Sequence, residues 1–226
     1  RLILSRITFT TDYDALSGCD VIIESLLEDL EQKRESFARL DRISKKNIIL
    51  AMNTSTLSVT EIAQATSRPT RVIGLHFLAP VVRTQVVEVV RGLKTSDVTF
   101  REAKVFVESL GKTGVEVYES PGFVTTRLIL PMINEAAYAL MEGVASAEGI
   151  DTAMRLGFEF SRGPLEMADR IGLDTLLIMM ERLWRDYGDL KYRPCPLLRK
   201  LVRGGHLGVK TGEGFFNYDK EGHRLH

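Results

Sequence analysis

Two short runs of β-branched residues, 72–75 and 86–90, constrain the fold of this chain more than any other feature. Such runs, joined by a connection that contains proline, predict two adjacent β-strands. Glu88 lies inside the second run between apolar neighbours, and a carboxylate buried in a strand is costly unless a partner compensates it. His76, at the end of the first run, lies twelve residues earlier. The pattern therefore predicts a buried pair of His76 and Glu88.

A histidine paired with a carboxylate is suited to general-base catalysis. The carboxylate fixes the tautomer of the imidazole, and an imidazole exchanges protons near neutral pH. A single histidine near the end of a strand is, however, more often a core or surface residue without a catalytic role. The pair alone leaves both interpretations open, and the rest of the chain has to decide between them.

The composition is that of a globular protein without a strong overall charge. Of the 226 residues, 44% are hydrophobic and 27% are charged, and the 30 basic side chains balance the 30 acidic ones. This balance predicts no nucleic-acid partner, although it leaves room for a local basic patch. No apolar run approaches the roughly 20 residues of a membrane-spanning helix, so no membrane partner is expected. Cys19 and Cys195 are typical of reduced thiols, which favours a cytoplasmic protein.

The first half of the chain alternates predicted strands with predicted helices. Strands are expected at residues 6–11, 21–23, 48–52, 72–75, 86–90 and 115–118, and helices at 28–44, 58–65 and 97–110. This alternation predicts an α/β domain over residues 1–118 with a mostly parallel sheet. Ligands of such sheets bind at the carboxyl ends of the strands. Polar residues follow three predicted strands, at 24–28, at 53–55 and at His76, and we expect them to form one site.

The second half, residues 119–226, predicts an all-α domain. Ser120 and Pro121 are typical of a helix start, which predicts a long helix from there to residue 141. Further helices are expected at 147–156, 164–171, 173–187 and 196–203, and a strand returns only at 215–218. The apolar run 176–180 predicts a helix that is buried on more than one side. Either this surface forms a homodimer interface or the domain has a dense helical core.

The chain resembles the 3-hydroxyacyl-CoA dehydrogenases, including the bacterial 3-hydroxybutyryl-CoA dehydrogenases. The matching segments follow the family's order and cover nearly the whole sequence; they include DVIIESLLEDLEQK, NTSTLSVTEIA, RVIGLHF, VVEVVRG, SPGF, GPLEMADRIGLDT and GVKTGEGFF. The resemblance implies a Rossmann-like sheet domain followed by a helical substrate and dimerisation domain. It also implies that the protein oxidises a short-chain 3-hydroxyacyl-CoA to the 3-oxoacyl-CoA with NAD as the hydride acceptor.

The resemblance assigns roles to residues at matching positions. His76 takes the proton of the substrate hydroxyl, and Glu88 orients the histidine. The other assignments are Ser55 and Thr126 as substrate-binding residues, and Glu28, Lys33 and Asn53 as cofactor-binding residues. These roles agree with the chemistry that the residues themselves predict, namely a base, a carboxylate that orients it and a hydroxyl donor at neighbouring strand ends.

The sequence departs from the family at three places. The family begins with a strand, a glycine-rich turn and a helix that hold the pyrophosphate, whereas this sequence contains no G-x-G-x-x-G. The implied Rossmann-like sheet is therefore incomplete, and we expect the 226-residue chain alone to bind NAD poorly. Ala79 and Thr126 stand where the family has asparagines. Loss of one positioned hydrogen bond near a reacting centre can reduce a rate by about 10²–10³-fold.

These departures keep two other functions open. The protein could be a non-catalytic or weakly active relative that serves as a dimeric binding or structural protein. It could also oxidise a hydroxy acid that does not carry coenzyme A. A metal site is not expected, because His206, His223 and His226 lack the spacing of metal ligands.

Overall fold

The computed structural model describes residues 4–225 and consists of two compact units, Arg1–Phe123 and Val124–His226. The first unit contains a five-stranded sheet with helices, and the second is built mainly from helices. The predicted fold class, a mostly parallel Rossmann-like sheet followed by a helical part, is confirmed.

The five strands of the sheet lie side by side in sequence order. They are β1 (Val21–Glu24), β2 (Ile49–Met52), β3 (Val72–Phe77), β4 (Val86–Arg91) and β5 (Thr113–Tyr118). β1, β2 and β3 are parallel, β4 is antiparallel to β3, and β5 is parallel to β4. The direction reverses at β4 because the connection 78–85 has only eight residues and contains no helix. A parallel crossover needs about a dozen residues or more.

Three helices accompany the sheet: α1 (Leu30–Ile43), α2 (Val59–Ala63) and α3 (Asp97–Ser109). Each starts after a capping residue, Asp29, Ser58 or Ser96, whose side chain accepts a backbone N–H three positions later. One apolar cluster contains residues from α1 and α2, and a second contains residues from α3. Apolar residues of the helices thus pack with both faces of the sheet.

The described part of the second unit contains five α-helices. They are α4 (Thr125–Met141), α5 (Ala147–Phe158), α6 (Pro164–Ile171), α7 (Leu173–Tyr187) and α8 (Pro196–Arg203). Their shared core includes Leu130, Leu165, Leu176 and Met180. On α7, Leu176 and Met180 are buried whereas Ile178 is 56% exposed, so the helix keeps one apolar side chain on its outer surface. None of the described helices is long and apolar enough to cross a membrane.

Two buried aspartates tie this unit together. Asp151 accepts hydrogen bonds from the backbone N–H groups of Leu165 and Glu166, both at 2.9 Å, at the start of α6. Asp169 accepts the N–H groups of Phe215 and Phe216 at 2.9 Å and the hydroxyl of Tyr218 at 3.0 Å, which fastens the C-terminal segment to α6. Burial raises the pKa of Asp169 to about 6, against the opposing effect of these hydrogen bonds.

Three predicted elements are wrong. The expected strand at residues 6–11 is a short 3-10 helix, Leu4–Arg6, followed by an exposed irregular segment that pairs with no strand in the described chain. An alternating pattern forms a strand only where a partner strand is available. The expected strand at 215–218 is replaced by isolated bridges, because Asp169 captures the N–H groups of Phe215 and Phe216.

The third correction concerns the start of α4. The helix begins at Thr125 rather than at Ser120 and Pro121. Gly122 and Phe123 have φ values of 79° and 51°, and such left-handed residues cannot continue a right-handed helix. Residues 120–123 form a turn instead, in which Phe123 N–H donates to Ser120 O at 2.9 Å.

Candidate active site

The pairing of β3 with β4 places His76 directly opposite Glu88. Residues in this relationship project their side chains from the same face of the sheet. The Nδ1 atom of His76 lies 2.6 Å from Oε2 of Glu88, and both side chains are almost completely buried. Because an ionised carboxylate only accepts hydrogen bonds, the imidazole donates its Nδ1 proton to Glu88. The Nε2 atom is therefore left as the proton acceptor.

The Nε2 atom of His76 faces Ser55, in the turn that follows β2. The Ser55 Oγ atom lies 3.1 Å from Nε2, so the hydroxyl group donates to the imidazole. Glu88, His76 and Ser55 thus form a continuous line of hydrogen bonds that ends at the carboxyl edge of the parallel strands. A hydroxyl group of a substrate can replace the Ser55 hydroxyl at Nε2 and lose its proton there.

The turn that carries Ser55 is held by Glu28, in the segment between β1 and α1. Oε1 of Glu28 accepts the Ser55 N–H at 3.1 Å and the Thr56 N–H at 2.9 Å. It also accepts the hydroxyl groups of Thr54, at 2.6 Å, and Thr56, at 2.9 Å. One carboxylate oxygen therefore fixes three consecutive residues, and it sets the position of Ser55 relative to His76.

The contacts of Glu28 also limit the reactions that Glu88, His76 and Ser55 can catalyse. A serine, a histidine and a carboxylate in a row resemble the constellation of serine hydrolases, which also need N–H donors to stabilise an oxyanion. The N–H groups of Ser55 and Thr56 donate to Glu28 instead. They are not available as an oxyanion hole, so the geometry favours proton transfer by His76 over nucleophilic attack by Ser55.

A buried ion pair supports the same edge of the sheet. The Nζ atom of Lys33 lies 2.9 Å from both carboxylate oxygens of Glu24, and Lys33 is fully buried. It also donates to the backbone oxygen of Asn53 at 3.0 Å and to that of Leu26 at 3.3 Å. The three protons of the ammonium group are thus shared among four acceptors. Lys33 joins the segments after β1 and β2, and a part in cofactor binding stays a prediction.

The edge of the sheet offers features that fit NAD. Asn53 Oδ1 accepts the N–H of Phe77 at 3.1 Å, whereas its Nδ2 donates to no atom of the described residues. Next to this turn, the segment after β1 exposes 46% of Leu26 and 77% of Leu27. The free Asn53 amide can donate a hydrogen bond to a sugar, and the exposed leucine side chains can pack against the flat ring that is attached to it. The predicted cofactor role of Asn53 is compatible with this arrangement.

Sequence reasoning missed three parts of the site: the clamp by Glu28, the pair of Glu24 with Lys33, and Phe123. The Phe123 ring lies against the His76 ring, with centroids 5.6 Å apart and planes inclined by 58°. Phe123 is 3% exposed and occupies a left-handed conformation. Glu24 and Glu28 gave a signal, since each follows a run of apolar residues, whereas Lys33 lies among polar residues and gave none. The position of Phe123 gave none, because it depends on the turn at Gly122.

Two further residues of the sequence prediction are Ala79 and Thr126. Ala79 is exposed in the connection between β3 and β4. Thr126 is buried in the first turn of α4, within the second unit. The substrate role predicted for Thr126 stays a prediction.

The C-terminal segment brings Asp219, Glu221 and His223 together, with one potential ligand atom of each within 4.8 Å of the others. The Asp219 carboxylate accepts the N–H groups of Glu221 and His223, so the cluster is an acidic turn stabilised by its own backbone. His206 lies 3.0 Å from Glu213. His226 lies outside the described residues.

Comparison with known proteins agrees with the geometry. Residues 1–120 match the family model described as 3-hydroxyacyl-CoA dehydrogenase, NAD binding domain, and residues 122–218 match the model of the C-terminal domain. A protein of Bacillus subtilis called probable 3-hydroxybutyryl-CoA dehydrogenase is 50% identical over 221 residues, which are 98% of this chain and 77% of that protein. The 3-hydroxybutyryl-CoA dehydrogenase of Clostridioides difficile is 49% identical over 96% of this chain and 78% of its own length.

A solved structure is similar in fold as well as in sequence. The crystal structure of (S)-3-hydroxybutyryl-CoA dehydrogenase from Ralstonia eutropha is 46% identical to this chain, with a TM-score of 0.92. The match covers 96% of this chain and 77% of that one.

Proposed function

The chain belongs to the 3-hydroxyacyl-CoA dehydrogenase family, and we propose that the protein oxidises a short-chain 3-hydroxyacyl-CoA to the 3-oxoacyl-CoA with NAD. The observation that carries the proposal is the hydrogen-bonded line from Glu88 through His76 to Ser55. A short acyl chain is supported by relatives of about half-identical sequence that are named for the 3-hydroxybutyryl thioester.

His76 acts as the general base of the reaction. Its Nε2 atom removes the proton of the 3-hydroxyl group, and the C3–H bond breaks with loss of a hydride. NAD, when bound, supplies the acceptor for that hydride. The electrons of the O–H bond form the new C=O bond, and the proton remains on the imidazole. Glu88 keeps the ring in position and stabilises the imidazolium that results.

Ser55 holds the substrate oxygen beside the base. In the structure its hydroxyl donates to Nε2 of His76 at 3.1 Å. When a substrate hydroxyl takes this place at Nε2, the Ser55 hydroxyl can donate to the substrate oxygen instead. This exchange keeps the oxygen within reach of the base, and it is consistent with the predicted role of Ser55 in substrate binding.

The cofactor would lie at the carboxyl ends of β1 and β2. We assign its direct contacts to the Asn53 amide and to the apolar side chains of Leu26 and Leu27. Glu28 and Lys33 support the two segments that carry these residues through the hydrogen bonds described above.

The proposal is tested by NADH formation from 3-hydroxybutyryl-CoA with the full-length protein and its His76→Gln variant. Glutamine has similar size but cannot serve as a base, so we expect turnover to fall by about 10²–10⁴-fold. His206→Gln provides the matched control, because His206 belongs to the second unit and is paired with Glu213 there. Equal turnover of the wild-type and His76→Gln proteins would contradict the role of His76 as the base, and absence of turnover in both would support the non-catalytic alternative.

We further propose that the protein is a homodimer that associates through its helical unit. Large apolar side chains of α4, α5 and α7 are exposed: Leu128 by 68%, Phe158 by 69% and Ile178 by 56%. Their coverage by a second copy would remove this apolar surface from water. Sedimentation should then give twice the chain mass, and a Phe158→Asp substitution should shift the protein towards the monomer. A wild-type protein that sediments as a monomer contradicts this.

A reducing compartment such as the cytoplasm is the proposed location. Cys195 is buried and Cys19 half-buried, and neither forms a disulfide. Free thiols of this kind are typical of proteins that fold in reducing surroundings.

A further inference from the structure

The second unit contains a basic cavity that the proposed reaction does not use. The cavity, of about 460 Å³, lies between α7, α8 and the segment that joins them. Its lining consists of Trp184, Arg193, Pro194, Pro196, Arg199, Lys200 and Arg203. The volume falls within the range of about 300–1,000 Å³ that is usual for small-molecule sites.

Three of the four basic side chains around this cavity form no ion pair within the described chain. Arg199 is paired with Glu181 of α7. The side chains of Arg193, Lys200 and Arg203, in contrast, form no ion pair with any described residue. Like charges three and four residues apart on a helix repel each other. An anion in the cavity would relieve this repulsion.

The basic residues of α8 occupy one side of the helix. Pro196, Lys200 and Arg203 follow the helical repeat, whereas Leu198 is buried in the core of the unit. The opposite side of α8 packs into the core of the unit. This packing fixes the position of the cavity wall that α8 forms.

The connecting segment is fixed as well. Asn134 of α4 is 5% exposed and clamps the backbone on both sides of Pro194. Its Nδ2 donates to Arg193 O at 3.0 Å, and its Oδ1 accepts the Cys195 N–H at 2.8 Å. A preformed site of this kind loses little freedom when a ligand binds.

Trp184 gives the cavity a flat apolar wall. Its side chain is half-buried and lines the cavity together with Pro194 and Pro196. A base or another flat ring can stack on an indole, while guanidinium and ammonium groups bind phosphate oxygens. The two kinds of contact lie within one cavity.

We propose that this cavity, whose lining includes none of the residues assigned to the dehydrogenase reaction, binds a nucleotide with at least two phosphate groups. The phosphates would contact Arg193, Lys200 and Arg203, and the base would stack on Trp184. This chemistry occurs both in free nucleoside triphosphates and in the phosphorylated adenosine of coenzyme A. Titrations with ATP and with coenzyme A distinguish the two sources.

The test uses the fluorescence of Trp184, which is the only tryptophan of the chain. We expect ATP or coenzyme A to change the emission of the full-length protein in a saturable way. Adenosine should bind more weakly because it lacks the phosphates, and tripolyphosphate should bind without quenching by a stacked base. Calorimetry with the same probes records binding independently of fluorescence.

The double variant Lys200→Glu/Arg203→Glu should bind these probes at least about tenfold more weakly, since charged hydrogen bonds are lost. Both side chains are exposed and unpaired in the described chain, so the thermal midpoint should change little. Arg185→Glu is the matched control, because Arg185 lies on α7 outside the cavity. It should keep near wild-type affinity.

Absence of binding by both methods with ATP and coenzyme A would overturn the proposal. Equal weakening by Arg185→Glu and by the double variant would also overturn it, since the attraction would then be a general effect of charge. Neither outcome affects the test of His76.

Discussion

The carboxylate of Glu28 accepts a hydrogen bond from the backbone N–H of Ser55 at 3.1 Å, so the residue that contacts His76, the proposed base, is positioned from a different strand end. We predict that Glu28→Ala reduces kcat by about 10²-fold, because small displacements of a positioning group can have effects of this size. Glu28→Gln should recover much of the loss, since its amide oxygen can still accept the Ser55 N–H.

The matched control is Glu31→Ala in the first turn of α1, where the side chain is exposed. The pH dependence of kcat should keep its wild-type shape in both Glu28 variants, because the His76–Glu88 contact is unchanged. An unaltered kcat in Glu28→Ala contradicts the positioning role.

Glu88→Gln should reduce kcat by about 10²–10⁴-fold with little change in NAD affinity. The glutamine keeps the shape of the side chain but does not stabilise the imidazolium that forms when His76 accepts a proton. Steady-state kinetics and cofactor titration measure the two quantities. Glu108→Gln, on the exposed side of α3, should behave as the wild type.

Lys33→Met should lower the free energy of unfolding by about 3–5 kcal/mol, since it leaves the buried charge of Glu24 without a partner. The second substitution Glu24→Gln should restore part of this loss. Urea denaturation measures both. Arg34→Met tests an exposed pair on the same helix, with an expected effect of about 0–1 kcal/mol. If Lys33→Met lowered the free energy of unfolding by no more than Arg34→Met does, the buried pair would be replaceable.

Ala79→Asn should raise kcat/KM for 3-hydroxybutyryl-CoA, by about tenfold or more if the amide gains a positioned hydrogen bond to the substrate or to His76. Ala79 is exposed, so the larger side chain meets no packed neighbour. Ala79→Leu controls for size alone. If neither variant differs from the wild type, the asparagine of the family is not needed here.

Asp169 should make the stability of the helical unit depend on pH. Because burial raises its pKa from 3.8 to about 6, the folded unit holds the proton more tightly than the unfolded chain. Asp169 therefore contributes most to the free energy of unfolding below about pH 4. This contribution, about 3 kcal/mol in total, is lost as the pH rises to about 6. Unfolding followed by Trp184 fluorescence should show this slope in the wild type but not in Asp169→Asn. Equal slopes in the two proteins would contradict the assignment.

The sequence predicts the pairing of His76 with Glu88 because both constraints are local. A buried carboxylate needs a partner, and the connection between the two strands is short. The same reasoning does not reveal the direction of β4 or the contact between Ser55 and Nε2, since these depend on how separate strands align in the sheet.

The errors have a different cause. The predicted start of α4 is wrong although Ser120 and Pro121 are residues that favour a helix start. The left-handed conformations of Gly122 and Phe123 prevent a helix there. The strand expected at 215–218 fails because a buried aspartate 46 residues earlier in the chain competes for the N–H groups. Tertiary contacts of this kind leave no periodic signal.

The register of β3 against β4 limits how the sequence of the protein can evolve. His76 and Glu88 belong to one antiparallel ribbon, Val72–Phe77 with Val86–Arg91, so a single contiguous segment encodes the acid–base pair. Insertions elsewhere leave the pair intact, whereas a one-residue slip within the ribbon turns Glu88 to the opposite face and brings a valine towards His76. The ribbon is therefore expected to be retained as a whole during evolution. It tolerates changes in the surrounding sequence but not a change in the register between its own two strands.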